Sequence, residues 1–172
     1  METWNAINTV RAVRRFQPRP LDEAHLDRIL HAGRRAGSSK NQQRWAFVVA
    51  RDREHLRELS RVGEFASHLA GAAAGIALVT PEATGHTRDS IMWDCGRAAQ
   101  NMVLAAWELG IGSVPATVYD HALAARLLGL RPDRRCDFLL SFGYPEDESK
   151  LTAPNRAGGR ASLEELVHEE RW

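Results

Sequence analysis

Three guanidinium groups crowd one short stretch, Arg11-Ala12-Val13-Arg14-Arg15-Phe16, just ahead of Pro18. Arginines this close repel one another unless solvent or an anion compensates, and the planar fork of Arg matches a phosphate. A second stretch, Gly37-Ser38-Ser39-Lys40-Asn41-Gln42-Gln43-Arg44-Trp45, gathers neutral donors and acceptors at Ser38, Ser39, Asn41 and Gln43. Such groups suit the edge of a neutral heterocycle, which offers both carbonyls and N–H groups. A third, Gly110-Ile111-Gly112-Ser113-Val114-Pro115-Ala116-Thr117, combines glycines that let a ligand approach the backbone with a proline that interrupts a strand ladder. A fourth places Arg160 after Gly158-Gly159. Each also reads as ordinary structure: a solvated basic edge, a polar helix-to-strand loop, a turn before an edge strand, a surface arginine.

Other chemistries have no foothold. There is no phosphate-binding P-loop, no G-x-G-x-x-G after a strand, no H-E-x-x-H and no G-x-S-x-G elbow. The seven histidines show no metal-ligand spacing, and neither Cys95 nor Cys136 lies in a C-x-x-C pair. No metal is expected, and these absences favour a bound organic cofactor. The net charge of +1 from 23 basic and 22 acidic residues argues against a nucleic-acid partner. No apolar run approaches the roughly 20 residues of a membrane helix. The start, Met1-Glu2-Thr3-Trp4-Asn5, lacks the pattern of a signal peptide, and two isolated cysteines make no disulfide framework, so a cytoplasmic location is expected.

The elements that must hold these segments follow from patterning. With 172 residues, of which 44% are hydrophobic, the chain is long enough to bury its own core and is expected to form one domain, residues 1–172. Asn5 to Val10 is weakly amphipathic. Asp22 caps a helix with Leu26, Ile29, Leu30 and Gly33 on one face, ending near Gly37. Trp45 to Ala50 reads as a buried strand, Asp52 caps a second helix with Leu56 and Leu59 inward, and Gly75 to Thr80 is a second buried strand. A loop from Pro81 to Asp89 leads to the longest helix, Ser90 to Leu109, apolar around much of its circumference. Ile111 to Val118 is extended, His121 to Gly129 a short helix and Cys136 to Phe142 a third strand. Leu163 to His168 forms a last strand or helical turn. Strands alternate with helices and hairpin signals are missing, which places the chain in the α/β or α+β class.

In order, five motifs resemble those of the nitroreductase family. Val10 to Phe16 corresponds to its basic opening motif. Gly37 to Trp45 corresponds to P-S-x-x-N-x-Q-P-W. Asp94 to Ala106 corresponds to D-x-x-x-A-x-Q-N-x-x-L-A-A. Leu109-Gly110-Ile111-Gly112-Ser113 and Phe142-Gly143-Tyr144-Pro145 complete the set. Val10, Ala12, Gly37 and Arg44 depart from the usual residues, and the chain is short between Arg61 and Gly75 and after Gly112, where the family builds its lid and part of its dimer interface.

The resemblance implies an α+β nitroreductase-like fold, a mostly antiparallel central sheet flanked by helices, in a homodimer with FMN at the interface. It implies an FMN-dependent oxidoreductase that takes hydride from NAD(P)H and passes it by a ping-pong route to a nitroaromatic, quinone or similar small-molecule acceptor. Flavin fragmentation, dehalogenation or flavin storage is the alternative use. By position, Arg11, Ala12 and Arg14 would hold the phosphate and pyrimidine side, Arg160 would join them, and Ser38, Ser39, Asn41 and Gln43 would come from the partner. The backbone at Pro115, Ala116 and Thr117 would face the ring, with the Thr117 N–H near the reactive N5. No acid–base side chain is required, since the cofactor carries the difficult step.

Overall fold

Four strands and six helices position the site in a computed structural model that describes residues 1–154 and 159–172. In chain order they are α1 (Thr3–Thr9), α2 (Glu23–Arg34), β1 (Ala46–Ala50), α3 (Arg53–Leu59), β2 (Ala74–Pro81), α4 (Gly85–Glu108), β3 (Gly112–Thr117), α5 (His121–Leu128), β4 (Arg134–Gly143) and α6 (Leu163–Leu166). The sheet runs β1-β2-β4-β3, and every pairing is antiparallel. No tight hairpin joins neighbours: α3 lies between β1 and β2, and α5 between β3 and β4. The fold is therefore α+β with an antiparallel sheet flanked by helices, as expected.

Two apolar layers cover the sheet. On one face Leu56, Leu59, Val62 and Leu69 pack against Ala77, Val79, Ala116 and Leu139. On the other, α2 and α4 bring Ile29, Ile91, Cys95 and Met102 against Ile76, Leu78, Leu140 and Phe142. Gly33 makes the α2–α4 approach possible, since a Cβ there would meet the end of Met102 at 2.1 Å. A third cluster, Ala6, Val13, Phe16 and Trp107, fastens the N-terminal segment to α4.

Two expectations need correction. The long helix begins at Gly85, not Ser90, so most of the stretch read as loop is its first turn, entered through a left-handed Gly85 (φ +54°). β1 is an edge strand rather than a buried one. It pairs only with β2, and of its residues only Ala50 is buried. Of the two forms expected for the last segment, the helical turn is present, Leu163–Leu166, closed by a reciprocal Ser162–Glu165 capping box. Both thiols are inert core groups: burial pushes Cys95 up to about 11 and Cys136 up to about 12.

Candidate functional site

β3 is the other edge of the sheet, and what lies along its open side defines the site. Val13 N–H donates to the Ser113 carbonyl at 3.0 Å, so Ser113 turns its backbone polar groups away from β4. Backbone direction alternates along a strand, so the Pro115 carbonyl and the Thr117 N–H and carbonyl face the same open side. Proline sits here at no cost to the ladder, because its missing N–H would have pointed outward. Farther along, the backbone N–H groups of Tyr119 and Asp120 both donate to the Val62 carbonyl, at 2.8 and 2.9 Å. A Cβ at Gly63 would lie 2.2 Å from the Thr117 carbonyl, so only glycine lets this loop approach. The N-terminal segment thus covers the β3 edge at Ser113 and the 62–66 loop covers it beyond Thr117. A hollow of about 390 Å³ remains between them, lined by Arg14, Arg15, Phe65, His68 and Pro115.

Close packing at two glycines places the arginines. A Cβ at Gly112 would strike Val13 at 2.5 Å, and one at Gly143 would strike Phe16 at 2.8 Å. Val13 and Phe16 are buried against these glycines while Arg14 and Arg15 between them stay exposed. The glycine at 112, expected to admit a ligand, instead admits Val13. Among the described residues neither Arg14 nor Arg15 forms an ion pair with an acidic group, although Glu64 shares the lining. Arg11 is committed differently: its Nε donates to the Thr9 carbonyl at 3.1 Å and its Nη2 to the Ala153 carbonyl, tying this segment to the tail. Ala12 forms an isolated parallel bridge with Ser113.

His68 is the residue the sequence did not single out. It lies in a short 3₁₀ turn (Ser67–Gly71) and is 6% exposed. Its Nδ1 is 2.8 Å from Ser141 Oγ, and Ser141 in turn donates to the Val114 carbonyl at 3.3 Å. Its Nε2 is buried with no hydrogen-bond partner. Burial lowers its pKa, the Arg14 charge lowers it further, and the Pro115 carbonyl opposes both.

The remaining expected residues lie elsewhere in the protomer. Ser39 N–H donates to Asp94 on α4 at 2.9 Å, and Ser38 Oγ accepts from Gln43 N–H at 2.9 Å. Lys40, Asn41 and Gln43 all adopt left-handed backbone (φ +52°, +54° and +49°), and Gln43 Nε2 donates to Asn41 Oδ1 at 3.2 Å. This loop stands against α4 and does not line the hollow beside Arg14. Arg160 is exposed, with its Nη1 donating to the Gly159 carbonyl at 3.1 Å. Gly158 lies outside the described residues.

A second cavity, about 570 Å³, opens on the α4 face of β3. Pro115 lines both cavities, and Met92, Phe138, Leu140 and Thr117 give this one mainly apolar walls. Its polar side is a network around Asp137, the extra residue of a bulge between the Leu78–Phe138 and Val79–Cys136 pairs. Asp137 accepts from Arg88 through both oxygens (3.1 and 3.2 Å) and from Arg135 Nε at 2.8 Å. Burial would raise its pKa, but these hydrogen bonds outweigh it and hold the carboxyl below its ordinary value. His121 spans the network, Nδ1 to the Cys136 carbonyl at 3.1 Å and Nε2 to Arg135 Nη2 at 2.8 Å. Among the described residues no helix is long and apolar enough to cross a membrane, and no three His, Cys, Asp or Glu side chains group as a metal site.

The nitroreductase family model matches residues 7–75 and 61–144, and the chain belongs to that family. An Archaeoglobus fulgidus protein provisionally named NADH dehydrogenase/NAD(P)H nitroreductase is 34% identical over 99% of both chains. A Clostridium acetobutylicum structure, assigned as an NADH oxidase, is 26% identical with a TM-score of 0.84, covering 97% of this chain and 99% of its own. A Desulfovibrio desulfuricans nitroreductase solved in complex with FMN is also 26% identical, with a TM-score of 0.82, covering 100% of this chain and 98% of its own.

Proposed function

We propose that this protein is an FMN-dependent oxidoreductase. It takes hydride from NAD(P)H and passes it to a nitroaromatic, quinone or similar acceptor by a ping-pong route, and it works as a homodimer. The observation that carries this reading is the hollow at the β3 edge, lined by Arg14, Arg15 and His68 beside Pro115. Its groups fit the cofactor: cations that have no acidic partner among the described residues for an anionic group, and a buried unpartnered imidazole nitrogen. Thr117, whose N–H faces outward for a ring nitrogen, lines the adjoining cavity. FMN, when bound, would supply the two-electron chemistry.

Each residue then has a task. Arg14 compensates negative charge on the pyrimidine side, and Arg15 adds to the same field. The Thr117 N–H orients the ring edge. Ala116, buried between Pro115 and Thr117, keeps that stretch of backbone in register with β4. Arg11 and Arg160 would flank the phosphate, and the Ala12 bridge to Ser113 fixes the segment that carries Arg11. The apolar cavity on the α4 face is where nicotinamide and acceptor would take turns, since it meets the first hollow at Pro115. In a homodimer, Ser38, Ser39, Asn41 and Gln43 would reach the partner's cofactor. The exposed Trp93, next to the Asp94 that anchors this loop, supports α4 as the contact face.

An absorption spectrum of the purified protein, without oxygen, before and after NADH or NADPH, tests the reading. A flavin band that bleaches supports it. A band that persists keeps flavin binding but moves the protein to another flavin chemistry. No band after incubation with FMN overturns it.

A further inference from the structure

We infer that His68 is a proton acceptor linked to the charge in the hollow: its Nε2 takes up one proton from solvent when the flavin proposed above is reduced. This rests on that reading of the hollow and adds a residue to it.

Ser141 Oγ stands between two partners, His68 Nδ1 at 2.8 Å and the Val114 carbonyl at 3.3 Å. With the hydroxyl proton turned to Val114, Ser141 Oγ accepts from His68 Nδ1–H and Nε2 keeps a lone pair. That lone pair is buried and unpartnered, a costly state for a polar atom in a well-packed interior. A hydrogen bond from the ring to the Pro115 carbonyl favours the charged form. What opposes protonation is burial and the adjacent Arg14. The charged groups around the imidazole are few: Arg14 and Arg15 from the N-terminal segment and Glu64 from the 62–66 loop. β3, β4 and the turn itself contribute only Val114, Pro115, Ser141 and Ser67.

Reduction changes the term that Arg14 supplies. FMN held beside Arg14 would carry one added negative charge after accepting a hydride, which brings two electrons and one proton. Burial, the larger cause of the lowered His68 pKa, would remain, but a negative charge opposite Arg14 would offset the Arg14 contribution, so the pKa of His68 would rise from its lowered value. Nε2 then binds a solvent proton. The hollow gains one negative charge from reduction and one positive charge at His68, so its net charge is unchanged. His68 thus acts through the field on the flavin and is a positioning group for charge, not a participant in hydride transfer.

The test is the pH dependence of the reduction potential of bound FMN between pH 5.5 and 8, for wild type and His68→Gln. The slope counts protons taken up with the two electrons. Wild type is expected to take up one more proton than H68Q over part of this range. Equal slopes overturn the inference while leaving FMN binding intact. If neither protein binds FMN, the functional reading and this inference both fall, and the missing flavin band distinguishes that case. If H68Q alone fails to hold FMN, histidine ring resonances of the wild-type holoprotein replace the variant: one of the seven histidines must show a higher pKa in the reduced than in the oxidised state. If none moves, the inference fails.

Discussion

Arg14 and Asp137 are two charged residues with opposite relations to their surroundings. Arg14 is exposed beside a hollow and, among the described residues, has no acidic partner. Replacing it with alanine leaves the fold alone and removes a charge-assisted contact worth about 1.5–3 kcal/mol. FMN affinity is expected to fall by roughly 10- to 150-fold. A fluorescence titration that finds unchanged affinity removes Arg14 from the site. Asp137 is saturated by Arg88 and Arg135 with its side chain only 8% exposed. Asp137→Asn strands two partly exposed guanidinium groups. The cost is expected near 2 kcal/mol, below the full price of breaking a buried pair because solvent still reaches the arginines. The folded carboxyl titrates below its ordinary value, so its stabilisation is complete above the unfolded pKa and is lost as pH falls through the folded one. Denaturation midpoints of wild type and D137N should therefore differ at pH 7 and converge only as pH falls below the folded carboxyl's lowered pKa. A constant gap would contradict this account.

Gly112 and Gly143 matter at the scale of the element, because they set how closely the N-terminal segment approaches the sheet. Gly112→Ala would force its Cβ into Val13. It is expected to cost about 1–3 kcal/mol by overpacking, and to weaken FMN binding as well, since Val13 and Arg14 are neighbours. Chemical denaturation and flavin titration on the same variant check both halves. A loss of stability with intact affinity would uncouple them. Much of this layout was legible in the sequence. A continuous apolar run marked β2, Phe138, Leu139 and Leu140 marked β4, Asp52 caps its helix, and the arginine segment and the Pro115 strand do meet. The rest was hidden for identifiable reasons. A continuous apolar run does not distinguish a central strand from an edge, so β1 read as buried. The bulge at Asp137 breaks strand alternation and turns a carboxylate into a cavity where alternation puts the opposite face. His68 is a lone histidine in a short turn, and nothing in its neighbours' spacing signals that Ser141, distant in sequence, fixes its ring.

The whole molecule leaves large apolar side chains in water: Trp93 is 73% exposed on α4, and Leu163, Leu166 and Trp172 are exposed along the C-terminal segment. Surfaces of this kind mark contacts with other chains. Trp93→Glu is expected to halve the mass found by sedimentation and to lower FMN retention, because the Ser38–Gln43 loop would lose its reach. An unchanged mass would place the contact elsewhere. The strand order β1-β2-β4-β3 carries a consequence for biosynthesis. β4 is synthesised last yet is inserted in the middle, between β2 and β3. A ribosome that has released only residues 1–133 holds β1 and β2 ready to pair, while β3, with the arginine segment along its outer side, has no sheet to join. The nascent chain thus carries an unpaired strand edge until β4 emerges, with the exposure to misassociation that unpaired edges bring. Cofactor capture at that edge must follow release of residue 143.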